Sequence, residues 1–164
     1  MRKVIGWAIV LGLVLAFLSS PMVSASTEAE EELMSLFLKY EQAMETGDLE
    51  TFEEIFWHDE RLTVFWPEAE TAFRIDGWTQ MQSYLKGFTS FVSQLPPGAF
   101  NFEIRQPSVN VMGDVAIVTA YWVGSMVIPE GGSQVMQGRA TDVLKKIEGK
   151  WVIVHEHASM FPTP

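Results

Sequence analysis

The hydrophobic positions in the first third of the chain recur at helical spacing. Within residues 27–45 the apolar side chains form one stripe with a period near 3.6, made of Leu33, Leu36, Phe37, Tyr40 and Met44. Gly47 is expected to end this helix, and Asp48 is a typical N-cap for a second, shorter one. The pattern therefore predicts two consecutive helices, each with one buried face.

After residue 60 the pattern changes from helical spacing to short extended runs. Residues 61–66 predict a strand that ends at Pro67, and residues 73–75 predict a second short extended piece. A third helix is expected to start after residues 76–77 (Asp-Gly) and to end before residues 96–98 (Pro-Pro-Gly). Its apolar face consists of Trp78, Met81, Leu85, Phe88 and Val92.

In the last third of the chain, apolar and polar residues alternate, which predicts strands joined by short turns. The predicted strands include three long ones, residues 115–128, 134–147 and 150–159, which follow shorter apolar alternations at residues 100–111. Sequential strands with short turns pair as an antiparallel meander. We therefore expect an α+β fold: a strongly curved, cone-shaped antiparallel sheet of about four strands. About three N-terminal helices should pack on it around a central pocket.

The N-terminus has the pattern of an export signal. A positive start (Arg2, Lys3) precedes an uncharged apolar run, residues 4–18, and small residues at positions 23–25 fit a signal peptidase site. We predict a signal peptide over residues 1–25 and one domain over residues 26–164, located in the periplasm or outside the cell. The alternative is an uncleaved anchor, although the run is shorter than the roughly 20 residues that span a bilayer.

Charge and cysteine content exclude several classes of function. The chain has a formal net charge of -10, and removing Arg2 and Lys3 would change it to -12. Nucleic-acid binding requires clustered Lys and Arg, so nucleic acid is not expected as a partner, and an anionic membrane would repel the processed chain. The absence of cysteine excludes disulfides and thiolate catalysis.

Three stretches resemble the SnoaL-like families of the nuclear transport factor 2-like superfamily, which includes ketosteroid isomerase-like proteins. They are residues 47–50 (Gly-Asp-Leu-Glu) with Phe56 after them, residues 75–78 (Ile-Asp-Gly-Trp), and residues 138–141 (Gly-Arg-Ala-Thr) with residues 148–159. The last run closes with His-x-His-x-Ser. The resemblance implies a cone fold with an internal pocket. It leaves the activity open, because the superfamily contains isomerases, dehydratases, cyclases, binding modules and assembly domains.

The closing strand carries the first candidate site residues. Strict alternation puts His155, His157 and Ser159 on one face with Trp151 and Ile153, and Glu156 on the other face. Imidazole can act as acid, base or hydrogen-bond donor near neutral pH, so His157 is a candidate catalytic group and His155 and Ser159 are candidate ligand contacts. A zinc site would need a third ligand such as His58, and we predict no metal and no cofactor.

Further candidates lie on the preceding strand and on the early segments. Arg139 could hold a carboxylate or enolate-like oxygen, and Asp142 could be a general base if its face, shared with Ala140 and Leu144, turns inward. Asp59 follows the second helix and is a third candidate base. The aromatic candidates for the pocket are Trp66 and one of the neighbours Tyr121 and Trp122.

Three functions remain open from the sequence. We favour an exported module that binds a small, mostly apolar molecule in a pocket lined by histidine and aromatic residues. The first alternative is a cofactor-free isomerase, cyclase or dehydratase that moves a proton next to a carbonyl group. The second is a dimeric assembly module. A homodimer is expected in each case, because the apolar outer face of the long strands needs cover.

Overall fold

The computed structural model describes residues 22–67, 72–128 and 131–162, and the side chains of residues 22–26, 72 and 128 are not described. Most of the predicted signal peptide, residues 1–21, therefore lies outside the described residues. The first helix is already formed at Met22, ahead of the predicted cleavage point after residue 25. Among the described residues, no helix combines the length and apolar character needed to cross a membrane.

Three helices precede the long strands, as predicted. They are α1 (Met22–Thr46), α2 (Leu49–Ile55) and α3 (Gly77–Val92). Gly47 has a φ of 67°, in the left-handed region that glycine adopts without strain, and it ends α1. The Asp48 side chain then accepts a hydrogen bond from the Thr51 backbone N–H and caps α2, as its position in the sequence indicated.

Six strands form one sheet in the order β2-β1-β6-β5-β4-β3. Their bounds are β1 (Thr63–Pro67), β2 (Ala72–Asp76), β3 (Phe100–Met112), β4 (Val115–Ile128), β5 (Gly132–Ile147) and β6 (Lys150–Met160). The expectation of a purely antiparallel sheet of about four strands is wrong, because β1 runs parallel to β6. The two short early strands thereby join the meander, and the sheet is mixed, curved and unclosed.

Helix α1 lies across the concave side of the sheet and is fixed to it by apolar packing and by hydrogen bonds. Its buried face includes Leu33, Phe37 and Tyr40. Two of its carboxylates, Glu41 and Glu45, accept hydrogen bonds from backbone N–H groups of the edge strand β3, at Ile104 and Phe102. These contacts satisfy donors that would otherwise be free at a sheet edge. The helix is thus held in a position from which Tyr40 reaches the centre of the sheet.

Candidate functional site

The concave face of the sheet is built in rows that cross β4, β5 and β6. The innermost row, Ala116, Leu144 and Ile153, is fully buried core. Two rows further along the strands, the sheet carries three alanines, Ala120, Ala140 and Ala158, which are aligned in register. Because each supplies only a methyl group, this row leaves space between the sheet and the helices.

That space is a cavity of about 550 Å³. All three alanines line it, and a further row of β4 and β6 residues, Trp122 and Met160, borders it on the far side. Its walls are mostly apolar and include many aromatic rings. The rings that border it include Tyr40, Trp66, Tyr84, Phe88, Phe102 and Trp122.

Gly138 allows the indole of Trp122 to lie flat over β5 at this end of the cavity. A Cβ atom at position 138 would come within 2.7 Å of Trp122 Cζ2 and would overlap the Ser159 carbonyl oxygen. The indole also stacks on Phe102, with ring centroids 6.2 Å apart. The Nε1 atom of Trp122 has no hydrogen-bond partner in the described part of the chain. Close packing here requires glycine, for steric reasons and not for backbone conformation.

A pair of carboxyl groups occupies the row between the core and the alanines. Asp142 on β5 and Glu156 on β6 are directly opposite each other, each only 4% exposed, and both line the cavity. Glu156 accepts hydrogen bonds from the Tyr40 hydroxyl, at 3.2 Å, and from Trp66 Nε1. Helix α1 and strand β1 therefore each supply one donor that holds Glu156 in place.

Burial makes both carboxyl groups hold protons more tightly than they do in water. Desolvation raises the pKa of Glu156 to about 7, although the hydrogen bonds from Trp66 and Tyr40 oppose the rise. Desolvation, and then repulsion from Glu156, raises the pKa of Asp142 well above its usual value. The pKa of the buried Tyr40 hydroxyl is also raised, first by desolvation and then by Glu156. Glu156 is thus close to its titration point near neutral pH, and the pKa of its neighbour Asp142 is shifted in the same direction.

Strand β6 does not keep the strict alternation that the sequence analysis assumed. The register with β5 shifts between Val143 and Leu144, so that Val154 is an extra residue in β6. The buried positions consequently change from Trp151 and Ile153 before the shift to Glu156 after it. The expected grouping of the two histidines with Trp151 and Ile153 is therefore wrong, and Glu156 turns inward in their place.

His155, His157 and Ser159 consequently lie on the outer face of the sheet, and no histidine lines the cavity among the described residues. His155 Nδ1 is 2.6 Å from the Thr63 hydroxyl oxygen, in a hydrogen bond between β6 and β1. The Phe65 ring lies near both imidazoles, at centroid distances of 6.1 Å and 5.7 Å. Partial burial, and then the neighbouring His157, lowers the pKa of His155.

The other predicted contacts divide between the two faces. Asp142 and Trp66 border the cavity. Arg139 is exposed on the outer face, where its Nε atom donates to Ser159 Oγ at 3.4 Å. Tyr121 borders the cavity wall but is 48% exposed, and its ring lies 6.0 Å from that of Phe161. The inward side chains on either side of Tyr121 are Ala120 and Trp122.

Asp59 lies on the surface, away from the cavity lining. It accepts hydrogen bonds from the Arg61 side chain at 2.7 and 2.8 Å and from the Arg61 backbone N–H at 2.9 Å. These bonds lower the pKa of Asp59 to about 2, so it is ionised at neutral pH and already paired. In the described ranges, no group of three or more histidines and carboxylates is placed to hold a metal ion.

Two functional candidates were missed by the sequence analysis. Glu156 was assigned to the opposite face from the site, and Tyr40 was counted only as part of an apolar helix stripe. The signal for Glu156 was present, because the apolar positions of β6 change from odd numbers (Trp151, Ile153) to even numbers (Ala158, Met160). Such a change of phase within one strand indicates a bulge. Nothing in the sequence of α1 indicated that Tyr40 would meet Glu156.

Solved structures with the same fold come from proteins of different kinds. A nuclear transport factor 2-like superfamily protein from Salmonella enterica is 19% identical, with a TM-score of 0.70 over 84% of this chain and 94% of that one. A putative scytalone dehydratase from Novosphingobium aromaticivorans is 14% identical, with a TM-score of 0.73 over 87% and 91%. The CaMKII hub of S. rosetta is 22% identical, with a TM-score of 0.63 over 80% and 95%.

At these levels of identity the structural matches establish the fold and leave the activity open. The sequence also identifies the family. The family model of the SnoaL-like domain matches residues 33–164, which is most of the chain. This match agrees with the resemblance carried by the three sequence stretches. The chain belongs to the SnoaL-like domain family, and its fold is that of nuclear transport factor 2-like proteins.

Proposed function

We propose that the domain binds one small, mostly apolar molecule in the cavity and orients its polar group on Asp142 and Glu156. The observation that carries this proposal is the aligned row of Ala120, Ala140 and Ala158, which opens an apolar space directly beside the two buried carboxyl groups. A fold that needed only a solid core would fill this row with larger side chains, because interiors pack without voids of this size.

The size and composition of the cavity support the same function. About 550 Å³ lies within the range of small-molecule sites, which are mostly apolar with a few placed polar groups. Glu156 is held by Tyr40 and Trp66 before any ligand arrives, so its position is largely fixed in advance. We further propose that the protein works after export, in the periplasm or outside the cell, as its N-terminal sequence pattern suggests.

Cofactor-free proton transfer is the second candidate, and the titration point of Glu156 favours it. A group whose pKa is about 7 can both accept and return a proton at neutral pH. In such a reaction the Glu156 carboxylate takes a proton from the carbon next to a carbonyl group. The Asp142 acid donates a hydrogen bond to the carbonyl oxygen as it becomes an enolate. Return of the proton to another carbon completes an isomerisation.

An assembly role is the third candidate and concerns the outer face of the sheet. Three large side chains on or beside this face are exposed to solvent: Tyr121 (48%), Val127 (54%) and Val135 (65%). Exposed apolar side chains of this kind are covered in many homodimers. We propose a homodimer on this basis. Binding in the cavity does not depend on it, because the cavity is on the opposite side.

The binding proposal is tested with Prodan, a neutral naphthalene ketone whose emission shifts to shorter wavelength in apolar surroundings. Wild-type protein should bind it with a blue-shifted emission. Ala140→Phe should abolish binding by filling the cavity, whereas Thr141→Phe, the next residue on the outer face, should leave binding intact. The proposal fails if wild-type protein does not bind Prodan, or if both variants bind it equally well.

Proton transfer is tested separately by deuterium exchange. Incubation of the neutral ketone 2-tetralone with the protein in D₂O should accelerate exchange of the protons next to its carbonyl group, as followed by NMR. Glu156→Gln should remove that acceleration, and the surface variant Glu54→Gln should retain it. Exchange at the same rate with and without protein would leave binding as the function and remove the catalytic candidate.

A further inference from the structure

We propose that the molecule bound in the cavity is an apolar amine, held as its ammonium ion between the carboxyl pair and the aromatic walls. This inference rests on the proposed binding function and specifies the ligand's chemical class. It concerns the same site, where Asp142 and Glu156 meet the space beside Tyr40 and Trp66.

The carboxyl pair has more hydrogen-bond acceptors than the described side chains have donors for. The two carboxyl groups together offer four oxygen atoms, and the described residues supply side-chain donors only to Glu156, from Tyr40 and Trp66. Asp142 is 4% exposed, lines the cavity and has no hydrogen bond or ion pair from another side chain in the described ranges. The remaining carboxyl oxygens can accept hydrogen bonds from a bound molecule, which favours a ligand that carries hydrogen-bond donors.

The described part of the cavity wall contains no compensating cation. Among the described residues that line it there is no lysine, arginine or histidine. The four ion pairs of the described chain, such as Arg61 with Asp59 and Lys146 with Glu32, all lie outside this lining. Buried carboxylates are ordinarily paired with a cation or neutralised by a proton, and the described lining supplies no cation, so a cationic ligand would complete the pairing. An anionic ligand would meet the two acids without a partner.

Aromatic rings lie close to the carboxyl pair. Tyr40 and Trp66 contact Glu156 directly, and the Tyr84 ring is 5.0 Å from that of Trp66. Aromatic faces attract an ammonium group, particularly where it is shielded from water. The net charge of the chain, -10, would also draw cations toward the protein. Aromatic walls and acidic groups in one cavity thus favour an amine over a neutral alcohol of the same shape.

Three naphthalene probes of one shape test the inference: 2-(aminomethyl)naphthalene, 2-naphthalenemethanol and 2-naphthoic acid. Calorimetric titration at pH 7.5 should give about tenfold tighter binding for the amine than for the alcohol, and no binding for the carboxylate. If the alcohol binds as tightly as the amine, or the carboxylate binds best, the inference is overturned. If none of the three binds, it is overturned as well.

Variants of the two carboxyl residues test whether the pair causes the preference for the amine. Asp142→Asn should reduce the advantage of the amine over the alcohol to about none, while the exposed control Asp114→Asn should keep it in full. The circular dichroism spectrum and a cooperative thermal unfolding transition report whether the Asp142→Asn protein is folded. Should that variant unfold, Glu156→Gln is the second test, with the same expected loss of preference. An amine preference that survives in a folded variant of each residue contradicts the inference.

A second readout is the exchange of protons on binding. Burial raises the pKa of both carboxyl groups, and an ammonium ion beside them would favour their charged forms. Among the described residues, the titratable groups near the pair are Tyr40 and Tyr84, and burial followed by the charge of Glu156 raises the pKa of the Tyr40 hydroxyl further above its usual value. Titration of the amine at pH 6 in two buffers of different ionisation enthalpy should therefore show proton release, and the alcohol should show none.

The two proposals fail in different ways. If Prodan binds in the cavity but the amine has no advantage, only the assignment of an amine is wrong. If Prodan does not bind, and filling the cavity with Ala140→Phe changes nothing, the binding function itself is wrong. A preference for the amine that disappears in Ala140→Phe and in Asp142→Asn would support both.

Discussion

Asp142 and Glu156 face each other across strands β5 and β6 with 4% of each residue exposed, and the described residues place no cation beside them. The pair lies at the border between solid core and open cavity. On one side is the row of Ala116, Leu144 and Ile153, and on the other is the row of three alanines. Its protonation therefore affects both the stability of the fold and the chemistry of the cavity.

Stability should fall as the pH rises from about 5 to 8. The pKa of Glu156 is about 7 in the folded protein and near 4.5 when unfolded, so the folded state binds the proton more tightly and loses this advantage through that range. The loss is on the order of 3 kcal/mol, and Asp142 adds to it in the same direction. Thermal unfolding followed by circular dichroism should show it. Glu156→Gln should flatten the profile and Glu54→Gln should not.

Removing the indole donor should shift the titration of Glu156 upward. Trp66 Nε1 donates a hydrogen bond to this carboxyl group and so lowers its pKa. In Trp66→Phe the ring remains but the donor is lost, and Glu156 should titrate at higher pH than in the wild type. Carboxyl carbon NMR shifts measure this directly. Trp78→Phe, whose indole stacks on His58 at the surface, is the control that should leave the titration in place.

Gly138→Ala should destabilise the protein by about 1–3 kcal/mol, because the added methyl group overlaps the Ser159 carbonyl oxygen and the indole of Trp122. Gly87→Ala is the matched control. It lies within α3, where an added methyl group would meet only open space, and alanine there should be neutral or stabilising by up to about 1 kcal/mol. Chemical denaturation of both variants measures their free energies of unfolding and shows whether they differ. Equal effects would show that the close approach at Gly138 is not tightly packed.

His157→Ala should leave Prodan affinity unchanged, because the β6 bulge puts this side chain on the outer face. Ala158→Leu, the next residue along, should weaken binding because it narrows the cavity. The two neighbours thus test which face of β6 carries the site. A loss of affinity in His157→Ala with no change in Ala158→Leu would restore the interpretation that strict alternation suggested.

Local patterns in the sequence predicted the helices and the long strands. The Gly47 and Asp48 boundary, the start of α3 after Asp76, and strand β4 all depend on neighbouring residues and agree with the structure. The sequence left the face of β5 open, and the structure turns Ala140, Asp142 and Leu144 inward. Alternation is informative wherever the pairing is regular.

The features that the sequence did not predict depend on contacts between segments that are far apart in the chain. The parallel pairing of β1 with β6 joins residues about ninety positions apart, and no local signal specifies it. A single extra residue at Val154 exchanged the faces of His155 and Glu156. The site follows from that exchange, because Tyr40 and Trp66 can hold Glu156 only when it turns inward.

The most direct test of a ligand site in the cavity is methyl NMR of protein labelled at alanine and valine, titrated with Prodan. We predict that the signals of Ala120, Ala140 and Ala158 shift together and saturate, with contacts between these methyl groups and the naphthalene ring, while exposed Val127 and Val135 stay unchanged. Shifts at Val127 and Val135 without any at the three alanines would place the probe outside the cavity and contradict the account.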